Sequence, residues 1–502
     1  MNENIYAILA ARFPAGPDAP CLILPDGKVL SYADLERESA RYASLLVETG
    51  LKKGDRVAAQ VEKSPEALFL YLGCVRAGLV FLPMNPAYQR GEVEYFLNDA
   101  KPGVFVCRPE AHEQAQELAW AARVPHVHDL GERGTGSLVS AAAEMPDRFA
   151  TATCSGGDLA AILYTSGTTG RSKGAMLSHR NLSSNGLVLH RVWGFRPGDV
   201  LLHMLPTFHV HGLFVATHCA LLNGSPILFE PKFEPQRALR LMRQATVFMG
   251  VPTYYTRLLL DHGLTREACA HMRLFISGSA PLLPETFSAF RERTGYTLLE
   301  RYGMTETGML TSNPYEGERR GGTVGFPLPG TAVRVVDAAG SPSGAGEIGH
   351  IEVKGDNVFS GYWQMPEKTQ EEFTADGFFR TGDMGRFDAD GYLCISGRDK
   401  DLIISGGLNV YPKEIEEAID ALPGVAESAV IGLPHPDFGE AVTAVVVRGR
   451  GGEQLTDAAI IAALRGQLAN FKLPKSVHFV DDLPRNAMGK VQKNRLRQRY
   501  SA

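Results

Sequence analysis

The sequence predicts an α/β protein built from at least two domains. Short apolar runs alternate with helical stretches along most of the chain, the pattern of layered α/β domains. At 502 residues the chain is too long for a single ordinary core. A cluster of charges, Gly397-Arg398-Asp399-Lys400-Asp401, then interrupts the apolar pattern. The stretch beyond it, about 100 residues, reads as a compact α+β unit of its own.

Each element has its own local signal. Cys21-Leu22-Ile23-Leu24 and Lys28-Val29-Leu30 flank Pro25-Asp26-Gly27 and predict a hairpin. Ser31, with Asp34 three residues on, predicts a capped helix that Gly50 closes. Residues 55–61 predict a strand, 66–77 a helix, and apolar runs at 79–82, 104–106 and 201–204 further strands. Residues 131–157, rich in Gly, Ser, Ala and Asp, predict a surface excursion. More strands are expected ending near Val251, at 274–277, at 332–336 and at 347–354. Past the charge cluster, Pro412 suits the first position of a helix whose Ile415, Ala418, Ile419 and Leu422 share one face. Strands at 428–431, 442–447 and 477–480 and a helix at 457–468 complete that unit. Lys493, Arg495, Arg497 and Arg499 are expected on an exposed helix face.

Composition excludes several functions. A net charge of -5 gives no reason to expect nucleic acid or an anionic membrane as partner. Seven scattered cysteines with no Cys-x-x-Cys argue against a disulfide framework or a zinc site and for a reducing compartment. The N-terminus shows no signal-peptide pattern, and the apolar region 201–222 is broken by His203, Pro206, His209, His211 and His218. A soluble, cytoplasmic protein is expected.

The chemistry concentrates at Tyr164-Thr165-Ser166-Gly167-Thr168-Thr169-Gly170-Arg171-Ser172-Lys173-Gly174-Ala175. Glycines let backbone N–H groups approach an anion, hydroxyls add donors and Lys173 adds a charge. The stretch suits a polyphosphate; read on composition alone, it is equally a polar surface loop. It is not a Walker A loop, because Gly170 is followed by Arg171 rather than Lys. His209 and His211 stand on alternate positions, but no carboxylate or cysteine at ligand spacing joins them in a metal site.

The order Thr-Ser-Gly-Thr-Thr-Gly-x-x-Lys-Gly resembles the phosphate loop of the adenylate-forming superfamily, which includes acyl-CoA synthetases, peptide-synthetase adenylation domains and luciferases. Further motifs come in the superfamily's order. Glu300-Arg301-Tyr302-Gly303-Met304-Thr305-Glu306 matches the second diagnostic motif, and Asp383 matches the aspartate that accepts both ribose hydroxyls. Arg398 matches a nucleotide-contacting arginine, and Lys490, after Asn486-Ala487-Met488-Gly489, matches the last motif. The resemblance covers the chain from about residue 20 to its end.

The resemblance implies a large N-terminal domain of two α/β layered subdomains plus a small distorted β-barrel over 1–397, a hinge at 398–401 and a mobile α+β C-terminal domain over 402–502. It implies a two-step ligase. A carboxylate attacks the α-phosphate of Mg-ATP, and a thiol then attacks the acyl-adenylate. Thr165, Ser166, Gly167, Thr168, Thr169, Gly170 and Lys173 would hold the phosphates. Ser279, Ala280, Glu300, Arg301, Tyr302, Met304, Thr305, Asp383 and Arg398 would hold the rest of the nucleotide. Glu306 would bind Mg²⁺, and Lys490, with Glu306, Thr165 and Lys173, would carry the catalysis. Lys400 falls at the hinge, and Ser405-Gly406-Gly407 would line a CoA tunnel after the small domain rotates. Relatives can be silenced by acetylation of the last-motif lysine, which makes a lysine acetyltransferase acting on Lys490 a candidate partner.

His209, Ser277 and Met304 approach the acid pocket from separate motifs, and Arg257 lies on the helix after Val251-Pro252-Thr253. A cation and donors in a small pocket suit a second carboxylate on the substrate. The phosphate loop's Arg-Ser-Lys-Gly and the run His271 to Ala280 also look like malonyl-CoA synthetases. Malonate is therefore the expected acid, with methylmalonate beside it, CoA as thiol and ATP as co-substrate. A short-chain, medium-chain or aryl monocarboxylate, delivery to a carrier protein, and a nucleotide-binding protein without catalysis are the alternatives.

Overall fold

A computed structural model describes residues 2–165, 172–405, 408–435, 439–465, 467–468 and 470–501. Two large sheets dominate the N-terminal part. One has six strands in the order His126–Asp129, Val104–Cys107, Arg56–Ala59, Val80–Pro83, Leu159–Thr165, Lys173–Ser178. All are parallel except the last, which turns back on its neighbour. The other has nine strands, of which six (Pro20–Ile23, Ile227–Phe229, Leu201–His203, Val247–Gly250, Leu274–Ser277 and Leu299–Met304) are mutually parallel. Antiparallel strands flank them at both edges. Both faces of these sheets are covered, which explains why strands such as Val104–Cys107 and Val247–Gly250 are apolar at every position rather than at alternate ones.

Local signals explain the helix starts. Ser31 and Asp34 form the expected capping box for Tyr32–Glu48. Ser64 caps Pro65–Arg76, with Pro65 in the first turn where its missing N–H costs nothing. The surface excursion expected at 131–157 contains a short helix, Ser137–Ala143, whose Leu138 and Ala142 join the main core. Its Ala-rich run has the helix propensity that the surrounding glycines and serines mask in composition.

The third N-terminal part is a four-stranded antiparallel meander, Thr331–Val336, Gly349–Gly355, Phe379–Phe387 and Leu393–Arg398. Its last two strands set Asp383 opposite Arg398. The C-terminal unit is a mixed sheet, Leu408–Val410, Ile403–Ser405, Gly439–Arg448 and Val425–His435, with Ser476–Val480 parallel to Gly439–Arg448. Helices Pro412–Asp420 and Asp457–Leu464 cover its core; the latter stops four residues short of the expected end. The basic face of Lys493–Tyr500 is partly spent inside the fold: Lys493 pairs with Glu416 at 2.5 Å and Arg497 with Asp401 at 2.8 Å.

The two parts meet through specific contacts. Met488 is buried in the N-terminal core cluster. Lys413 Nζ donates to the Ile395 carbonyl at 2.6 Å. No helix of the described residues is long and apolar enough to cross a membrane.

Candidate active site

The candidate residues gather at the carboxyl ends of the parallel strands, where open α/β sheets bind ligands. Thr165 ends one strand, Ser277 another and Met304 a third, and Val251 to Thr253 come directly after a fourth. Between the two sheets Thr165 Oγ1 donates to Glu306 Oε1 at 3.2 Å. Tyr362 donates its hydroxyl to the same oxygen, also at 3.2 Å. Glu306 is buried, and its second oxygen makes no hydrogen bond among the described residues. Lys173, also buried, holds its Nζ 4.2 Å from the Tyr362 ring centroid and 3.4 Å from Glu372 Oε1. The expected phosphate ligands Ser166, Gly167, Thr168, Thr169 and Gly170, and the expected tunnel residues Gly406 and Gly407, lie outside the described residues.

A second cluster surrounds Asp383. Its carboxylate accepts from Tyr302 at 2.5 Å and pairs with Arg398 Nε at 2.6 Å. Lys490 lies close enough to feel both charges. Desolvation in the cleft pushes its ammonium down to about 8, Arg398 pushes the same way, and Asp383 opposes. The residue itself is exposed to solvent, so water screens much of that shift. Its loop approaches the N-terminal part closely: a Cβ on Gly489 would stand 3.0 Å from Thr253 Oγ1. Lys400 is exposed on the connecting turn Asp399–Asp401. Ser405 pairs within the C-terminal sheet, with Leu408 and Gly439.

The residues expected at the acid lie among buried polar groups short of partners. Ser277 is fully buried, and its Oγ has no hydrogen-bond partner among the described residues. Ser279 adopts a left-handed φ of 76°, an unusual conformation for serine. Its Oγ lies 3.2 Å from His211 Nδ1, while His211 Nε2 stays unpartnered among the described residues. His209 is half-buried and pushed down to about 4 by desolvation and by Arg301, so it is neutral at pH 7. Met304 and Ala280 border this region at the strand ends, with Thr305 beside Met304.

Arg301 departs from expectation. Expected with the nucleotide, it lies on the opposite face of its strand from Tyr302, since neighbours on a strand point apart. It is only 3% exposed, and neither Nε nor Nη2 finds an acceptor among the described residues. Its guanidinium lies against Gly278, where a Cβ would stand 2.4 Å from Cζ. Burial pushes it down to about 9, which leaves it charged at neutral pH. Glu300 beside it accepts the Leu282 N–H at 3.3 Å and is pushed up to about 7 by burial. Arg257, the cation expected in the pocket, is exposed and unpaired among the described residues. It stands one turn after Thr253 on the helix Pro252–Leu260, the face that meets the Lys490 loop. Arg273, left out of the expected site, is a structural residue: it forks onto Asp199 at 2.6 and 2.5 Å.

Sequence reasoning missed Tyr362, Glu372 and the polar role of His211. Tyr362 reaches the site because its segment bridges to Ala175 on the edge of the phosphate-loop strand. No periodicity in the sequence announces that pairing.

A nucleotide-type cluster and an acid-type cluster, joined by a lysine loop from a second unit, define an adenylate-forming enzyme. The chain belongs to the AMP-binding enzyme family: that family matches residues 9–363, and the AMP-binding enzyme C-terminal domain matches 414–490. The ATP-bound crystal structure of MatB from Rhodopseudomonas palustris is 56% identical, with a TM-score of 0.97 over 100% of this chain and 99% of that one. Against the apo form of the same protein the TM-score is 0.86 at the same coverage. The sulfoacetate–CoA ligase of Cupriavidus necator is 36% identical over 98% of this chain and 97% of its own length. The malonate–CoA ligase of Arabidopsis thaliana is 34% identical over 95% and 85%.

Proposed function

We propose that this enzyme is an AMP-forming acid–thiol ligase that joins malonate to CoA, with methylmalonate as a further substrate. The observation that carries the choice of acid is Arg301, a buried cation with no ion-pair partner among the described residues, whose charge reaches His209 and the unpartnered His211. Burying an unpaired charge is costly. A second carboxylate on the substrate supplies the missing acceptor, with Arg257 at the mouth as a further cation. The two curated relatives support this reading: malonate and sulfoacetate each carry a second anionic group beside the reacting carboxylate.

In the first step a carboxylate oxygen bonds to the α-phosphorus and the bond to the pyrophosphate oxygen breaks. Negative charge moves onto the phosphate oxygens, where fixed donors and cations lower the barrier. Thr165, Lys173 and the loop residues Ser166 to Gly170 hold the leaving pyrophosphate. Tyr302, Met304, Thr305, Ser279 and Ala280 frame the nucleotide, and Asp383 with Arg398 holds the ribose. Lys490 bridges the attacking carboxylate and the nucleotide. Glu306 offers a hard, uncommitted oxygen suited to Mg²⁺, which when bound neutralises phosphate charge.

In the second step the CoA sulfur bonds to the acyl carbon and AMP leaves. The small domain, 402–502, turns about Lys400 to withdraw Lys490 and bring Ser405 to Gly407 alongside the thiol. Acetylation of Lys490 would remove its charge and silence the first step, giving a lysine acetyltransferase a foothold. Seven unpaired thiols suit the cytoplasm.

Pyrophosphate release over malonate, methylmalonate, sulfoacetate, acetate and ferulate, with and without CoA, tests the reading. Malonate should lead the panel. Arg301→Met should cost about 100-fold or more in kcat/KM for malonate, the scale of a lost buried charge pair, while sparing residual acetate turnover. Equal losses on both acids would overturn the dicarboxylate assignment.

A further inference from the structure

Beside the phosphate-loop lysine stands a carboxylate that the mechanism above leaves unused. Glu372 closes the short helix Pro366–Glu372. Its Oε1 lies 3.4 Å from Lys173 Nζ and 3.1 Å from Lys368 Nζ, one turn back on its own helix. Lys173 also stands over the ring of Tyr362, whose hydroxyl reaches Glu306. The ammonium is therefore bounded on one side by an aromatic face and on another by a carboxylate.

The form of this contact matters. A pair that only ties two elements together gains most from short, bidentate geometry. Here the contact is long, and the carboxylate is shared between two lysines. Lys173 is buried with its charge only partly balanced, and its remaining N–H groups have no other partner among the described residues. Lysine is a flexible point charge, so holding it in one direction requires outside restraint. Tyr362 and Glu372 supply that restraint, and Lys368 steadies Glu372 in turn.

We propose that Glu372 is a positioning residue that aims Lys173 at the phosphates of ATP. The proposal rests on the reading of Lys173 as a pyrophosphate ligand. It predicts an effect confined to the nucleotide and to the first half-reaction.

The test is ATP–pyrophosphate exchange, run with whichever acid the wild-type enzyme turns over. Glu372→Gln should raise KM for ATP about tenfold, with KM for the acid unchanged. Thioester formation from a supplied acyl-adenylate should also be unchanged. Glu372→Asp should restore part of the loss. In a Lys173→Met background the effect of Glu372→Gln should shrink to less than about twofold, because a residue acting through another has nothing left to aim. An unchanged or lowered KM for ATP would overturn the proposal, as would the same effect in both backgrounds. Should no acid support exchange, the ligase reading fails on its own; calorimetric ATP binding by the same variants then decides the role of Glu372 by the same pattern of losses.

Discussion

A lysine stabilises developing phosphate charge only while protonated, and the surroundings of Lys490 work against its proton. Desolvation and Arg398 push it down to about 8. Pyrophosphate release should therefore fall at a pH below the ordinary lysine range of about 10.4, because the neutral amine cannot play its part. Thioester formation from supplied malonyl-adenylate should show no such limb. Stopped assays of the two half-reactions from pH 6 to 10 check this, and a shared decline would remove Lys490 from the first step. At this scale the sequence is informative where chemistry depends on residue type within a motif, as at Thr165, Lys173 and Asp383. It is uninformative where a side chain's direction decides. Arg301 and Tyr302 are neighbours in the chain, yet one lies against Gly278 and the other bonds Asp383, because they sit on a strand.

Elements add interactions that no motif records. The helix Pro412–Asp420 ends on Asp420, whose carboxyl is pushed up to about 8 chiefly by desolvation, with a Ser428 hydrogen bond opposing and the carboxylates of Glu416, Glu285 and Glu427 adding to it. Lys493 and Arg485 pair with Glu416 and Glu427 and soften that repulsion. An ordinary aspartate in the unfolded chain titrates near 3.9. The folded group binds its proton more tightly, so its stabilising contribution is complete below about pH 4 and is lost as pH climbs through about 8. Asp420→Asn should raise the melting temperature at pH 8.5 by about 2–4 °C and by clearly less at pH 4.5. Thermal scans at the two values decide it; equal shifts at both would mean a packing effect. The apolar face of this helix was legible from Ile415, Ala418, Ile419 and Leu422. The carboxylate cluster was not, because Glu285 comes from a helix far earlier in the chain.

On the scale of the molecule, the arrangement matches ATP-bound MatB more closely than the apo form, with TM-scores of 0.97 and 0.86. Met488 seated in the N-terminal core explains what holds the units together in this state. A Cβ at Gly489 would stand 3.7 Å from Thr253 Cβ, within the range a disulfide spans. Thr253→Cys combined with Gly489→Cys should cross-link on oxidation and trap the lysine loop in the cleft. Adenylate should still form in a single turnover, thioester should not, and reductant should restore it. Thioester formation by the oxidised enzyme would refute the domain rotation. The interruption at residues 397–401 made two units legible in the sequence; their docking was not, since it depends on where a loop places Met488. The unpartnered guanidinium beneath Gly278 bears on the molecule's heat resistance as well. On the proposed function, a dicarboxylate that completes its bonding would act as a missing part of the core, leaving the protein less stable empty than filled. By mass action, free acid at a hundred times its dissociation constant stabilises the fold by about 2.7 kcal/mol. The enzyme should then persist longest in cells that hold its substrate, its lifetime tracking supply with no regulator involved.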